Sequence, residues 1–128
     1  MPKFSLIFAS ISGALAVAIG AFGAHALKDF LQNNQMIDVF QTAVKYQFYH
    51  TLLLLIVGLL SAKHPSKTLK ISSISLMLGI ILFSGSLYLL IFTGQKFWGM
   101  ITPIGGVFFL GGWGFLAYSV SESYKSLF

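Results

Sequence analysis

The sequence predicts an all-α integral membrane protein: a four-helix bundle, up-down, with a short amphipathic interfacial helix between helices 1 and 2. Three observations predict it. Of the 128 residues, 56% are hydrophobic and 9% charged, with a mean hydropathy of +0.85. A soluble domain carries about 25% charge, so this chain cannot cover a water-facing surface. Four apolar segments fill most of the length, and a bilayer-crossing helix needs about 20 mostly apolar residues. The connections after the second and third segments are short, which makes successive helices antiparallel neighbours.

The chain reads as one membrane domain, residues 1–128, with spans at about 4–24, 43–62, 71–92 and 100–120. The first span is uncharged. Lys3 before it and Ala24-His25-Ala26 after it also resemble a signal peptide with its cleavage site. An apolar run of about 21 residues is too long for that, against 7–15 in a typical signal peptide. The following loop, residues 25–41, is the one long connection. In it Leu27, Phe30 and Leu31 repeat at helical spacing between Lys28, Asp29 and Gln32, which predicts a short helix in the headgroup region. Asn33-Asn34 breaks it, and a new helix is expected near Asp38, whose side chain is expected to cap it.

The second span has a purely apolar stretch, residues 52–60, too short to cross a bilayer. It must therefore start near Ala43, which sets Lys45 at the membrane edge and carries Gln47 and His50 into the outer part of the bilayer. The third and fourth spans are uncharged. Trp98 sits between them at interfacial depth, and Pro103 is expected in the first turn of the fourth, where a missing N–H costs little.

All eight basic residues are lysine, and with Asp29, Asp38 and Glu122 they leave a net charge of +5. They sit at segment ends, which points to topology and lipid headgroups, not nucleic acid. Four spans place Lys3, Lys63, Lys67, Lys70 and Lys125 on one side and Lys28, Lys45 and Lys96 on the other. The positive-inside rule then predicts cytoplasmic termini in a plasma membrane, the inner membrane of a bacterium. The absence of cysteine excludes disulfides, thiolate metal sites and cysteine nucleophiles.

Lipid is as apolar as leucine, so close packing through small residues must join the helices. The first span offers Ala9, Gly13, Ala16, Gly20 and Ala24 at steps of three or four; Gly79 lies in the third span, and Gly105, Gly106 and Gly112 lie in the fourth. These are expected packing positions.

Polar groups in hydrocarbon are costly and therefore informative. His25 ends the first span, and Lys45, Tyr46, Gln47, Tyr49 and His50 enter the second. Ser84, Ser86 and Tyr88 leave the third, and Thr102 enters the fourth. Gln47 and His50 share a helix face at i, i+3, so these groups are expected to form one polar pocket in the outer half of the membrane. Each also has a purely structural reading: a histidine bonded to a neighbouring helix, a tyrosine in the interfacial belt, a lysine reaching headgroups.

At these residues the sequence resembles a known family. The matching words are Gly20-Ala21-Phe22-Gly23-Ala24-His25, Tyr46-Gln47-Phe48-Tyr49-His50, Phe83-Ser84-Gly85-Ser86-Leu87-Tyr88, Ile101-Thr102-Pro103-Ile104-Gly105-Gly106 and Gly112-Trp113. They are similar to the domain of unknown function 423 family of small four-span membrane proteins, which includes eukaryotic transmembrane protein 256. The resemblance implies a four-helix membrane protein with no signal cleavage. It supplies no activity, substrate or catalytic residue.

No catalytic constellation, nucleotide loop or paired carboxylate is present, so an enzyme is not expected. The sequence favours a non-catalytic accessory subunit, or a binder of lipid or a hydrophobic small molecule at an outer-leaflet pocket. Its partners would be the bilayer and a membrane protein or second copy of the chain; no metal or cofactor is expected. The alternative is an oligomeric small transporter or channel, against which stands the lack of a mid-membrane acid. Least favoured is a redox site with His25 and His50 as axial haem ligands.

Overall fold

The computed structural model describes residues 1–128, all of them helical apart from short turns. Helix α1 spans Pro2–His25, α2 Lys28–Asn33, α3 Ile37–Lys63, α4 Lys67–Thr93 and α5 Phe97–Leu127. Four of these, all but α2, are long and apolar enough to cross a membrane. They alternate in direction, and α2 is the short helix expected between the first two. The protein is a multi-pass membrane protein.

The central pair is α3 and α4; α1 packs along α3, and α5 packs along α4. The first and last spans barely touch, so the bundle is open between them. Close packing thus comes in two pairs. Along α1 the buried stripe is Ser5, Ala9, Ser12, Ala16 and Gly23. Its steps of four and three are the heptad spacing of a left-handed pair. Gly13 and Gly20 touch Thr51 and Val44 of α3 at ordinary van der Waals distance, 3.5 and 3.4 Å from a notional Cβ. The tight position is Gly23, where a Cβ would lie 2.2 Å from the Phe40 ring; Ala24 is exposed.

Between α4 and α5 three glycines admit large neighbours. Gly79 receives the Phe109 ring and Gly112 receives Leu76. At Gly105 the backbones themselves meet: a Cβ there would lie 2.3 Å from the backbone nitrogen of Phe83. Phe83 belongs to a π-helical turn, Ile80–Ser84, where α4 widens by one residue against α5. Gly106 has room, its nearest such neighbour being the Phe83 ring at 3.9 Å.

Helix ends differ from expectation in two places. Met36, not Asp38, is the N-cap of α3; no side chain caps it, and Asp38 lies in the first turn, where an acid favours the helix dipole. The capping hydroxyl lies elsewhere: Ser66 accepts from the Leu69 N–H at 3.1 Å and starts α4. Helix α5 begins at Phe97, so Pro103 is past the first turn and removes the bond that would run to the Gly99 carbonyl. After α2 the chain turns through Gln35 at φ 56°, and the Met36 N–H returns to the Leu31 carbonyl at 2.8 Å. That is a Schellman closure built without glycine.

Two apolar clusters stack along the bundle. The larger holds Leu53, Leu54, Val57, Leu76 and Phe109. The smaller, at the α2 end, joins Leu31, Phe40 and Ile91, so α2 is pinned onto the bundle by Leu31. Phe30 stacks on Phe92 beside it at 5.9 Å.

Candidate functional site

Gln47, His50 and Thr51 lie near mid-length of α3 and Ser12 near mid-length of α1, while Ser86, Tyr88 and Thr102 lie closer to the α2 end of the bundle. Gly13, near the middle of α1, faces Thr51, the neighbour of His50. His50 in turn meets Phe109 and Trp113 of α5. His50 therefore lies at mid-length of α3. The residues do not form one pocket; they divide into three sets.

The first set ties α1, α3 and α4 together. Gln47, 5% exposed, donates through its amide nitrogen to the Ser12 carbonyl at 2.9 Å. Its amide oxygen accepts from the Tyr88 hydroxyl at 2.6 Å. The Ser12 and Thr51 hydroxyls bond to each other at 2.7 Å. One turn along, Ser84 donates to the Ala43 carbonyl at 2.7 Å. Ser84 and Tyr88 both face α3, as their i, i+4 spacing implies.

The second set lies between α4 and α5. Ser86 and Thr102 join hydroxyls at 2.6 Å, and Ser86 also donates to the Phe83 carbonyl at 2.9 Å.

The third set is built on His50. Its Nδ1 lies 2.8 Å from the Tyr46 carbonyl, which only accepts, so Nδ1 carries the proton. That leaves Nε2 as an acceptor, and the Trp113 indole N–H donates to it at 3.1 Å. The imidazole lies 3.6 Å from the Phe109 ring, 10° from parallel. Tyr46 stacks in turn on Phe83 at 4.7 Å. Gln47 and His50, three residues apart on one helix, thus serve opposite flanks of the bundle.

The remaining candidates are peripheral. His25 is exposed at the end of α1, and Lys45 and Tyr49 are exposed on α3. Three clefts surround the polar layer. One, of about 520 Å³, lies beneath α2 between α1 and α3; Gly20, Gly23, Leu31, Phe40 and Val44 line it, with Lys28 and Lys45 its charged residues. A second, of about 580 Å³, is a groove between α3 and α5. The third, of about 300 Å³, lies between α1 and α4 beside Gln47 and Tyr88.

Sequence reasoning missed Ser12, Thr51, Phe109 and the role of Trp113. Ser12 and Thr51 have a signal in hindsight, as hydroxyls within apolar runs. Nothing local marks Phe109 among thirteen phenylalanines.

A family model described as a protein of unknown function (DUF423) matches residues 19–106. The UPF0382 inner membrane protein YgdD of Escherichia coli (strain K12) is 45% identical over 111 residues, covering 87% of this chain and 84% of that protein. A UPF0382 membrane protein of Haemophilus influenzae is 43% identical over 122 residues, 95% of this chain and 96% of that protein. One of Staphylococcus epidermidis is 43% identical over 111 residues, 87% of this chain and 89% of that protein. No solved structure matches the chain.

Proposed function

Because the chain belongs to the DUF423 family, multi-pass membrane proteins of unknown function, we propose that it acts without catalysis, as a binder of anionic lipid in the cleft beneath α2. One observation carries this reading. The floor of the cleft is apolar, its only charged lining residues are Lys28 and Lys45, and no acid lines it. An acyl chain suits such a floor, and each ammonium near a headgroup contributes about 1 kcal/mol toward an anionic lipid. Leu31 of α2 belongs to the same wall, which ties the lid helix to the occupant.

The five-to-three distribution of lysines supports cytoplasmic termini, with this cleft in the outer leaflet. A membrane-protein partner or a second copy would lie against the exposed faces of α1 and α5. A transporter has less support, since the mid-span polar groups bond to one another. A bis-histidine haem has less still: both His50 nitrogens are engaged and His25 is exposed at a helix end.

Native mass spectrometry of protein released from nanodiscs of mixed phosphatidylglycerol and phosphatidylcholine tests the proposal. Retained phosphatidylglycerol is expected, and its loss in the Lys28→Gln, Lys45→Gln double variant. An unchanged lipid complement in that variant would overturn it.

A further inference from the structure

We propose that the groove between α3 and α5 is a second and independent binding site. Its ligand is a membrane-soluble, uncharged conjugated ring bearing carbonyl oxygens, the chemistry of a quinone. The groove shares no lining residue with the cleft beneath α2. The rings of Tyr46, Tyr49, His50, Phe109 and Trp113 line its wall, around a volume of about 580 Å³. No carboxylate or ammonium lines it, so a charged headgroup has no counterpart there. Its position beside the middle of the spans opens it to hydrocarbon, where a ligand arrives by lateral diffusion.

The polar inventory of the wall sets the ligand class. His50 and Trp113 satisfy each other through the Nε2 contact, and His50 Nδ1 is spent on the Tyr46 carbonyl. Tyr46 and Tyr49 are the other lining residues with polar side chains, and their hydroxyls make no hydrogen bond within the protein. A phenol without a partner in hydrocarbon is costly, and it donates to an acceptor that comes within reach. A saturated acyl chain would fill the space and leave both phenols unpaired. A flat ring stacks on aromatic walls, and its carbonyls accept the two hydroxyl protons. Gly106 on the α5 side lacks a side chain, which keeps the groove open to a planar body.

The test uses the Trp98→Phe variant in phosphatidylcholine nanodiscs, so that Trp113 is the one emitting tryptophan. The probe is decyl-1,4-benzoquinone, and decylbenzene supplies the same tail without carbonyls. Saturable quenching of Trp113 is expected with the quinone. Apparent affinity should fall roughly tenfold when Tyr46→Phe and Tyr49→Phe are combined, the loss expected for hydrogen bonds made in hydrocarbon. Those variants keep the rings, and an unchanged helical spectrum confirms the fold. Quenching that rises without saturation overturns the proposal. So does equal saturation in the double variant, or equal protection of Trp113 from the quinone by decylbenzene. In the Trp113→Phe protein the remaining Trp98 should show only non-saturating quenching.

Discussion

The His50 imidazole lies face to face with the Phe109 ring, 3.6 Å away and 10° from parallel, deep inside the span region. The pair is held from both sides. Phe109 seats in the hollow of Gly79, and Trp113 donates to the Nε2 edge of the histidine. His50 is thus a structural link between α3 and α5, two helices with few other contacts. Replacing it with alanine removes the ring under Phe109 and leaves the indole N–H unpaired. A loss of about 2–4 kcal/mol is expected. His64 sits in the loop after α3, half-buried, and His64→Ala should stay within about 0.5 kcal/mol. Thermal unfolding in detergent separates the two. Equally small shifts would remove His50 from any role in the fold.

Glycines on one helix should respond with opposite signs. At Gly105 an added methyl meets backbone, which cannot yield as a flexible side chain does. Gly105→Ala should force α4 and α5 apart and cost about 2 kcal/mol or more, despite the helix propensity of alanine. At Gly114 nothing lies within 4 Å, and Gly114→Ala should be neutral or stabilising by up to about 1 kcal/mol. Chemical denaturation in mixed micelles reads both.

Gln47 joins two helices to its own through one amide, with Ser12 on one side and Tyr88 on the other. Interhelical hydrogen bonds in membranes average about 0.6 kcal/mol and reach about 1.7. Gln47→Leu should therefore cost about 1–2 kcal/mol, a modest loss for a largely buried network. The pair with Tyr88→Phe is the sharper measurement. Each single change leaves the other partner unsatisfied, so the double variant should lose about 1 kcal/mol less than the sum. Additive losses would mean that the two residues act separately.

The spans were legible because hydrocarbon imposes length and composition on any crossing helix. The lid helix α2 was legible from the spacing of Leu27, Phe30 and Leu31. The order of the helices around the axis was not. Gln47 and His50 stand about 60° apart on α3, since three residues turn 300°. On a flank helix both would face one neighbour. On a central helix, with α1 on one side and α5 on the other, the same angle sends them to different partners. The small-residue stripe was ambiguous for a similar reason. Alanine and glycine occur on every face of α1, and the partner's bulk decides which face is buried: Phe40 selects Gly23, not Ala24. Nothing in Ile80–Ser84 announces a π-turn; its counterpart is Gly105, more than a span's connection away and on another helix.

Topology offers the last prediction, and the composition makes it clean. The chain has no cysteine, so a single introduced thiol reports without background. Gln95, in the turn between α4 and α5, and Ser126, near the end of α5, are both exposed and belong to opposite ends of the bundle. With cytoplasmic termini, Gln95→Cys should react with a membrane-impermeant maleimide on intact cells, and Ser126→Cys only after lysis. The reverse pattern would invert the orientation. The margin is two lysines, five on the terminal side against three on the other, and three of the five flank the middle connection. Changing Lys63, Lys67 and Lys70 together to glutamine leaves Lys3 and Lys125 against Lys28, Lys45 and Lys96. Positive charge near the span ends sets orientation during insertion, so this variant should insert in both directions or flip. Labelling of Ser126→Cys on intact cells in that background is the expected result. Unchanged labelling would show that something other than the lysines fixes how the bundle enters the membrane.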